Sequence, residues 1–214
     1  FELELANPVS ASDSEVPPPP SRGQQICKEL DHIQPARKGA SRKTINQRAA
    51  EFEEKCVEAI KYLFDEDLVV IGPQIKTEKK LSRFDLIARI SSKGEFWNLL
   101  VSDFQTRYVV FEFKLYSSEI TQGEILTTEK YLYRPALRST AILISKNGIA
   151  GNAVSMARGA LREHGKLILH LNTAQLCKML IAKDGGSSND EERTADVESE
   201  LFSTLDEMLD SIER

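Results

Sequence analysis

Apolar residues at Phe52, Cys56, Ala59, Ile60 and Leu63 recur at i, i+4, i+7, i+8 and i+11. That is the spacing of one helical face, so an amphipathic helix with an acidic polar face is expected over about 46–64. The period then drops to two. Leu68-Val-Val-Ile71 runs into Gly72-Pro73, Arg83-Phe-Asp-Leu-Ile-Ala-Arg-Ile90 follows, and Tyr108-Val-Val-Phe-Glu-Phe-Lys-Leu115 comes third. Alternation and β-branched content mark all three as strands. The connection from Ser91 to Arg107 is long for a hairpin and holds Trp97, Leu99 and Leu100, leaving room for a short strand or helix of its own. Ile120 to Tyr133 carries apolar positions among helix formers and is closed by Pro135, which predicts a crossover helix. A strand at Thr140–Ser145, an Ala-rich helix at Ala150–His164 stopped by Gly165, a strand at Lys166–Leu171 and a helix from Asn172 or Thr173 to Ala182 complete the series.

The predicted order is αβββαβαβα. Strands joined through helices late in the chain pair in parallel there, whereas the early hairpin pairs antiparallel, so the fold class is α/β with a mixed β-sheet flanked by helices. The domain is expected over residues 46–182. Residues 1–45 read as a flexible lead-in, with Pro17 to Pro20 favouring extended polyproline II and a basic stretch from Arg37 to Lys43. That stretch is either a solvated approach or an arm for a DNA backbone. Residues 183–195, rich in Gly, Ser, Asn and Asp, read as a flexible linker. Over 196–214, Val197, Leu201, Leu205, Met208, Leu209 and Ile212 form the apolar face of an acidic C-terminal helix. It needs a surface to cover, by preference its own domain, otherwise a protein partner.

Composition changes this picture only a little. An apolar fraction of 41% and a charged fraction of 29% over 214 residues are ordinary for one globular domain and exclude a fibrous or wholly disordered chain. No apolar run reaches the roughly 18 residues that a membrane span requires. The net charge of −5 hides an asymmetry. Residues 21–50 hold seven Lys and Arg against two Asp and Glu, while 184–214 hold two against eleven. A negative total therefore does not exclude nucleic acid, which answers to local basic surface. Three scattered cysteines, Cys27, Cys56 and Cys177, without a CxxC pair suggest neither a disulfide framework nor a zinc site, and point to a reducing, cytoplasmic setting. The missing initiator Met and the alternation at Phe1–Leu5 suggest a piece of a longer chain.

The chemistry concentrates on two strands. Glu112 and Lys114 stand at i and i+2, so both leave one face of the third strand while Phe111, Phe113 and Leu115 leave the other. Asp85, between Phe84 and Leu86, is a charge in an otherwise apolar strand and needs a partner or an ion. If the two strands pair as a hairpin, Asp85 and Glu112 converge on one cation, with the Phe113 backbone carbonyl as a further hard oxygen ligand. Such a set suits Mg²⁺, with Mn²⁺ as a substitute. The metal would neutralise a scissile phosphate and acidify a bound water, which Lys114 orients or helps to deprotonate. The bland alternative is a surface salt-bridge cluster. Gln122, early in the following helix, is placed to bond a phosphate or water, or is simply a helix N-terminal residue; Tyr116, Lys130, Arg134 and Arg138 are candidate phosphate-backbone contacts. His32, His164 and His170 share no ligand spacing, and neither a GxxxxGK[ST] loop nor a G-x-S-x-G elbow occurs.

Asp85 followed by Glu112-Phe113-Lys114, on the second and third strands after an opening helix, resembles the PD-(D/E)XK nuclease superfamily. Within it the chain is most similar to Mrr-type restriction endonuclease domains. The pair Phe52-Glu53 on the opening helix, the strand Ala141–Ser145 before an Ala-rich helix, and the strand Leu167–Leu169 carry that likeness, which spans about residues 46–182. Phe84 stands where the superfamily name has Pro. The resemblance implies a restriction-endonuclease-like fold and a Mg²⁺-dependent DNA endonuclease of restriction or antiphage-defence type, the effector part of a longer protein. It implies Asp85, Glu112 and Lys114 as catalytic residues and Glu53 as a supplementary metal ligand, a role for which Glu51, Glu54 and Glu58 compete. Cutting both strands implies a homo-oligomer, dimer or higher. A ribonuclease or structure-specific nuclease, and a non-catalytic binding or scaffold module on the same fold, stand as alternatives.

Overall fold

The computed structural model describes residues 19–73, 84–91, 93–185 and 190–210. Its centre is a five-stranded mixed sheet in the order β1-β2-β3-β4-β5, formed by Leu68–Pro73, Leu86–Ile90, Tyr108–Lys114, Thr140–Ser145 and Leu167–Asn172. β1 to β3 pair antiparallel and β3 to β5 parallel, as the alternation of periods predicted. Val109, Val110 and Phe111 of the central strand are fully buried. β1 forms one edge, where its register shifts between Val70 and Gly72.

Two groups of helices flank the sheet. α1 (Arg22–His32), α2 (Arg42–Leu63) and α6 (Thr173–Gly185) pack on one another, and α4 (Gln122–Glu129) packs on α5 (Gly151–His164). α2 extends four residues before the expected start, and its predicted stripe of Phe52, Cys56, Ala59, Ile60 and Leu63 is the face it buries. α4 is shorter than its apolar pattern implied, because the chain turns into a 3-10 segment at Arg134–Ala136.

One helix corrects the sequence reading. Residues 22–32 are not flexible lead-in but α1, opened by a reciprocal capping box between Ser21 and Gln24. Ile26 and Leu30 of α1 are fully buried. Asp184, at the end of α6, accepts from the Gly23 and Gln24 amides at 3.1 and 3.0 Å and from the Tyr62 hydroxyl at 2.6 Å. Gly23 permits this approach, since a Cβ there would lie 2.3 Å from the Leu180 carbonyl oxygen. Cys27 and Cys177 join α1 to α6 in a disulfide, which overturns the expectation of unpaired cysteines; Cys56 is free and buried.

The long connection before β3, left open between a short strand and a short helix, forms α3 (Glu95–Ser102). Phe96, Trp97 and Leu100 are fully buried there, and Trp97 meets Phe64 edge to face at 4.8 Å. The acidic C-terminal helix is α7 (Asp190–Asp210), which packs on α6, α3 and β5; its own domain covers Val197, Leu201, Leu205 and Met208 of the apolar face and leaves Leu209 exposed. The expected linker over 183–195 shrinks accordingly: 183–185 finish α6 and 190–195 begin α7. Residues 186–189, the segment 1–18 with the first half of the proline run, Arg83 and Ile212 lie outside the described residues. Among the described residues, no helix is long and apolar enough to cross a membrane.

Candidate active site

Antiparallel pairing sets Leu86 opposite Phe111, so Asp85 enters β2 beside Glu112. Asp85 Oδ2 accepts from the Phe113 amide at 2.8 Å and from Lys114 Nζ at 3.3 Å. Lys114 Nζ also donates to Glu112 Oε2 at 2.6 Å. One ammonium thus bridges two carboxylates, and the side chains are only 14%, 4% and 20% exposed for Asp85, Glu112 and Lys114. Burial of this degree separates the group from a surface ion-pair cluster, whose partners stay largely in water. The three charges sum to about −1 in a water-poor place, where such an imbalance is costly unless a cation offsets it.

The protonation equilibria register the same conflict. Burial pushes the Glu112 carboxyl up to about 7; Lys114 opposes that rise and Asp85 adds to it. Burial works against the Lys114 ammonium, but Asp85 and Glu112 outweigh it, so its pKa rises and it stays charged. Glu112 Oε1 is buried and has no hydrogen-bond partner among the described residues. A buried carboxylate oxygen without a donor is expensive, and a bound cation is one means of satisfying it.

The surroundings come from four elements. On α2, Glu53 is half-buried, while Glu51 and Glu54 are exposed and Glu58 is held by Lys55 and Arg22, so Glu53 is the glutamate of that helix on the inner side. Burial chiefly, then the charges of Asp85 and Glu53, push the buried Cys56 thiol up, whereas Lys146 pulls it down; the three charges therefore lie around one thiol. Among the described residues no three carboxylates lie mutually within 4.8 Å, so Asp85 and Glu112 are the pair that the fold brings together. Lys146 follows β4 directly and is anchored to the C-terminal carbonyls of α1, Leu30 and Asp31, at 2.9 and 3.2 Å.

Beside Asp85, the Phe84 ring is stacked edge to face on Tyr131 at 5.2 Å and lies 4.7 Å under the Arg138 guanidinium. Arg138 also donates to the Tyr131 carbonyl at 2.8 Å, so it is a support of the Asp85 segment rather than the free phosphate contact expected of it. Burial raises the Tyr131 hydroxyl, Glu112 and Asp85 add to the rise and Lys114 opposes it, which puts this phenol beside the site. Tyr116 is 40% exposed and is raised by burial first, with Lys114 opposing. Gln122 is exposed at the first turn of α4, whose Glu124 also feels Lys114. Lys130 and Arg134 are not brought in. Lys130 caps the far end of α4, where Glu129 meets Lys166, and Arg134 donates to Gln105 and lies against Gly165, at the opposite end of the parallel strands.

Tyr131, Arg138 as a stacking partner, and Lys146 are the neighbours that reading the chain did not place. For Lys146 a signal existed: Lys114 pairs with Ser145, and the carboxyl ends of adjacent parallel strands converge. Tyr131 follows its helix without periodicity and has no such signal.

The donor set fits a hard divalent cation. Asp85 and Glu112 offer carboxylate oxygens, one of them unsatisfied, and the Phe113 carbonyl belongs to the same strand. Cys27, Cys177 and Asp31 also cluster, but the two sulfurs are joined to each other and offer no thiolates. A separate cleft of about 330 Å³ between α5, β5 and α7 includes Arg158, His170 and Gln175 and none of the carboxylate group. Burial holds His170 down at about 4, and its Nε2 lies 2.8 Å from Ser145 Oγ, so it is a neutral structural partner.

No family model matches the chain. Over 139 residues it is 26% identical to a transposon gamma-delta 80.3 kDa protein of Escherichia coli (strain K12). That alignment covers 63% of this chain and 20% of the relative, so the chain corresponds to about a fifth of the length of the curated relative it matches.

Proposed function

We propose that this chain is a divalent-metal-dependent nuclease domain of the PD-(D/E)XK type, most similar to Mrr-type restriction endonucleases, acting on DNA in restriction or antiphage defence. The observation that carries the reading is the buried Asp85–Lys114–Glu112 bridge with its unsatisfied Glu112 oxygen, set where the antiparallel half of the sheet meets the parallel half. The mixed sheet between helices is consistent with the restriction-endonuclease-like topology, and the similarity to part of a transposon protein is consistent with a DNA-handling role.

Asp85 and Glu112, with the Phe113 carbonyl, would hold Mg²⁺ or Mn²⁺. When bound, the metal supplies charge neutralisation at the scissile phosphate and acidifies a water. Lys114 keeps its proton between the carboxylates and presents a positive charge to the attacked phosphoryl oxygens and the incoming water. The Phe113 amide fixes the orientation of Asp85, and Phe84, pinned by Tyr131 and Arg138, fixes the segment that carries it. Two copies acting together would cut both strands.

Supercoiled plasmid incubated with Mg²⁺, with Mn²⁺ and with EDTA tests the reading. Nicking or linearisation that requires metal and falls at least a hundredfold in Glu112→Gln and Lys114→Ala, with the fold intact by circular dichroism, is the expected outcome. Unaltered cleavage in those variants overturns it, and preferential cleavage of RNA reassigns the substrate.

A further inference from the structure

α2 is longer than the surface it covers. It buries Phe52, Cys56, Ala59, Ile60 and Leu63, but every residue from Ser41 to Glu51 is exposed. The direction of the helix fixes where that overhang lies. Its C-terminus leads to Leu68, which pairs with Ile90 at the end of β2 away from Asp85, while Glu53 and Cys56 share the electrostatic surroundings of Asp85. The exposed first ten residues, about 15 Å of helix, therefore lie on the side of Glu53 that leads away from the buried half of α2.

Their charge is one-sided. Between Ile33 and Ala50 the chain has Arg37, Lys38, Arg42, Lys43 and Arg48 and no acidic residue. Arg48 pairs with Glu51, but Arg37, Lys38, Arg42 and Lys43 have no ion-pair partner among the described residues, and all four are exposed. The turn that presents Arg37 and Lys38 is built: Ala40 donates to the Arg37 carbonyl at 2.9 Å, and Gly39 holds φ +87. Helical spacing adds a line of approach, because Arg42, Asn46, Ala49 and Glu53 follow at i, i+4, i+7 and i+11 on one stripe. The stripe leads from Glu53 outward past a small Ala to a cation.

We propose that the turn at Arg37–Lys38 and the exposed start of α2 form an arm that grips the phosphate backbone of duplex DNA beside the carboxylate site. The partner class is argued from charge complementarity: four exposed cations within residues 37–43, with no acidic residue among them, complement a backbone that carries a phosphate every 3.4 Å of axis on each strand, which no neutral or cationic partner does. The arm rests on the nuclease reading for its substrate, and its test is independent of turnover.

Anisotropy of a fluorescein-labelled 30-base-pair duplex, titrated with the full chain in EDTA at 50 to 200 mM NaCl, measures the grip without cleavage. The variant Arg37→Ala/Lys38→Ala/Arg42→Ala/Lys43→Ala is expected to weaken binding more than tenfold and to flatten the plot of log K against log salt by about 3 to 4, with single Arg42→Ala flattening it by about 1. Lys61→Ala, an exposed cation at the other end of α2, is expected to leave both unchanged. Undiminished affinity and slope in the quadruple variant, equal loss in Lys61→Ala, a wild type that does not bind duplex, or dependence on these cations only for single strands would each overturn the arm. A chain that grips duplex through them yet never cleaves with metal would sink the nuclease reading and leave the arm standing.

Discussion

Arg138 illustrates how one residue changes meaning once its neighbours are known. Its charge suggests a phosphate contact, but its guanidinium covers Phe84 and its Nε is spent on the Tyr131 carbonyl. Phe84 precedes Asp85 directly, so loosening the stack moves a carboxylate that must keep its place to a fraction of an ångström. Arg138→Met retains the apolar stem and removes the cation and the hydrogen bond. It is expected to cost about 1–2 kcal/mol in urea unfolding and to slow plasmid cleavage by roughly tenfold or more. A variant that loses the stability but cleaves at the wild-type rate would show that Phe84 does not position Asp85.

At the scale of elements, α7 is tied to α3 by buried acid. Glu198 of α7 accepts from the Phe96 amide at 3.1 Å, and Asp67 accepts from the Gly94 amide at 2.7 Å, so two carboxylates meet the first turn of one helix. Burial pushes Glu198 up to about 7, against the help of the Phe96 amide and with the added repulsion of Asp67; burial raises Asp67 as well. A carboxyl raised in the folded state binds its proton more tightly there than in the unfolded chain. Its stabilising contribution is full below about pH 4.5 and is lost as the pH climbs through about 7. Glu198→Gln is therefore expected to be more stable than wild type at pH 8 by on the order of 2–3 kcal/mol, with the gap closing towards pH 5. Thermal midpoints across that range check it, and a gap independent of pH would contradict it. The same elements explain what reading the chain could and could not supply. α2, the strands and α5 were legible because each buries one face against water, which stamps a period on the residues. α1 has only Ile26, Cys27 and Leu30 as apolar members among eleven residues, and its N-terminal amides are met by Asp184, some 160 positions away. α3 buries the adjacent pair Phe96-Trp97, so its apolar positions show no single-sided spacing. Asp85, Glu112 and Lys114 were legible for the opposite reason, as charges out of place in apolar strands.

For the whole molecule, the disulfide between Cys27 and Cys177 closes a loop of 150 residues and ties the first described helix to the sixth. Chain-entropy reasoning gives such a closure a contribution of up to about 5 kcal/mol, since the cost of confining the unfolded chain grows with loop length. Reduction with dithiothreitol, or Cys27→Ser, is expected to lower the thermal midpoint by several degrees while leaving the sheet signature in circular dichroism unchanged; an unmoved midpoint would mean that the packing of α1 on α6 carries the join alone. That packing also sets an order of events in time. α2 follows α1 directly, but the α6 part of the surface that covers α1 is synthesised some 150 residues later, and at 5 to 20 residues per second the delay is about 8 to 30 seconds. For that interval the apolar residues of α1 lack part of their cover, so a stretch of exposure to aggregation falls while the ribosome is still at work.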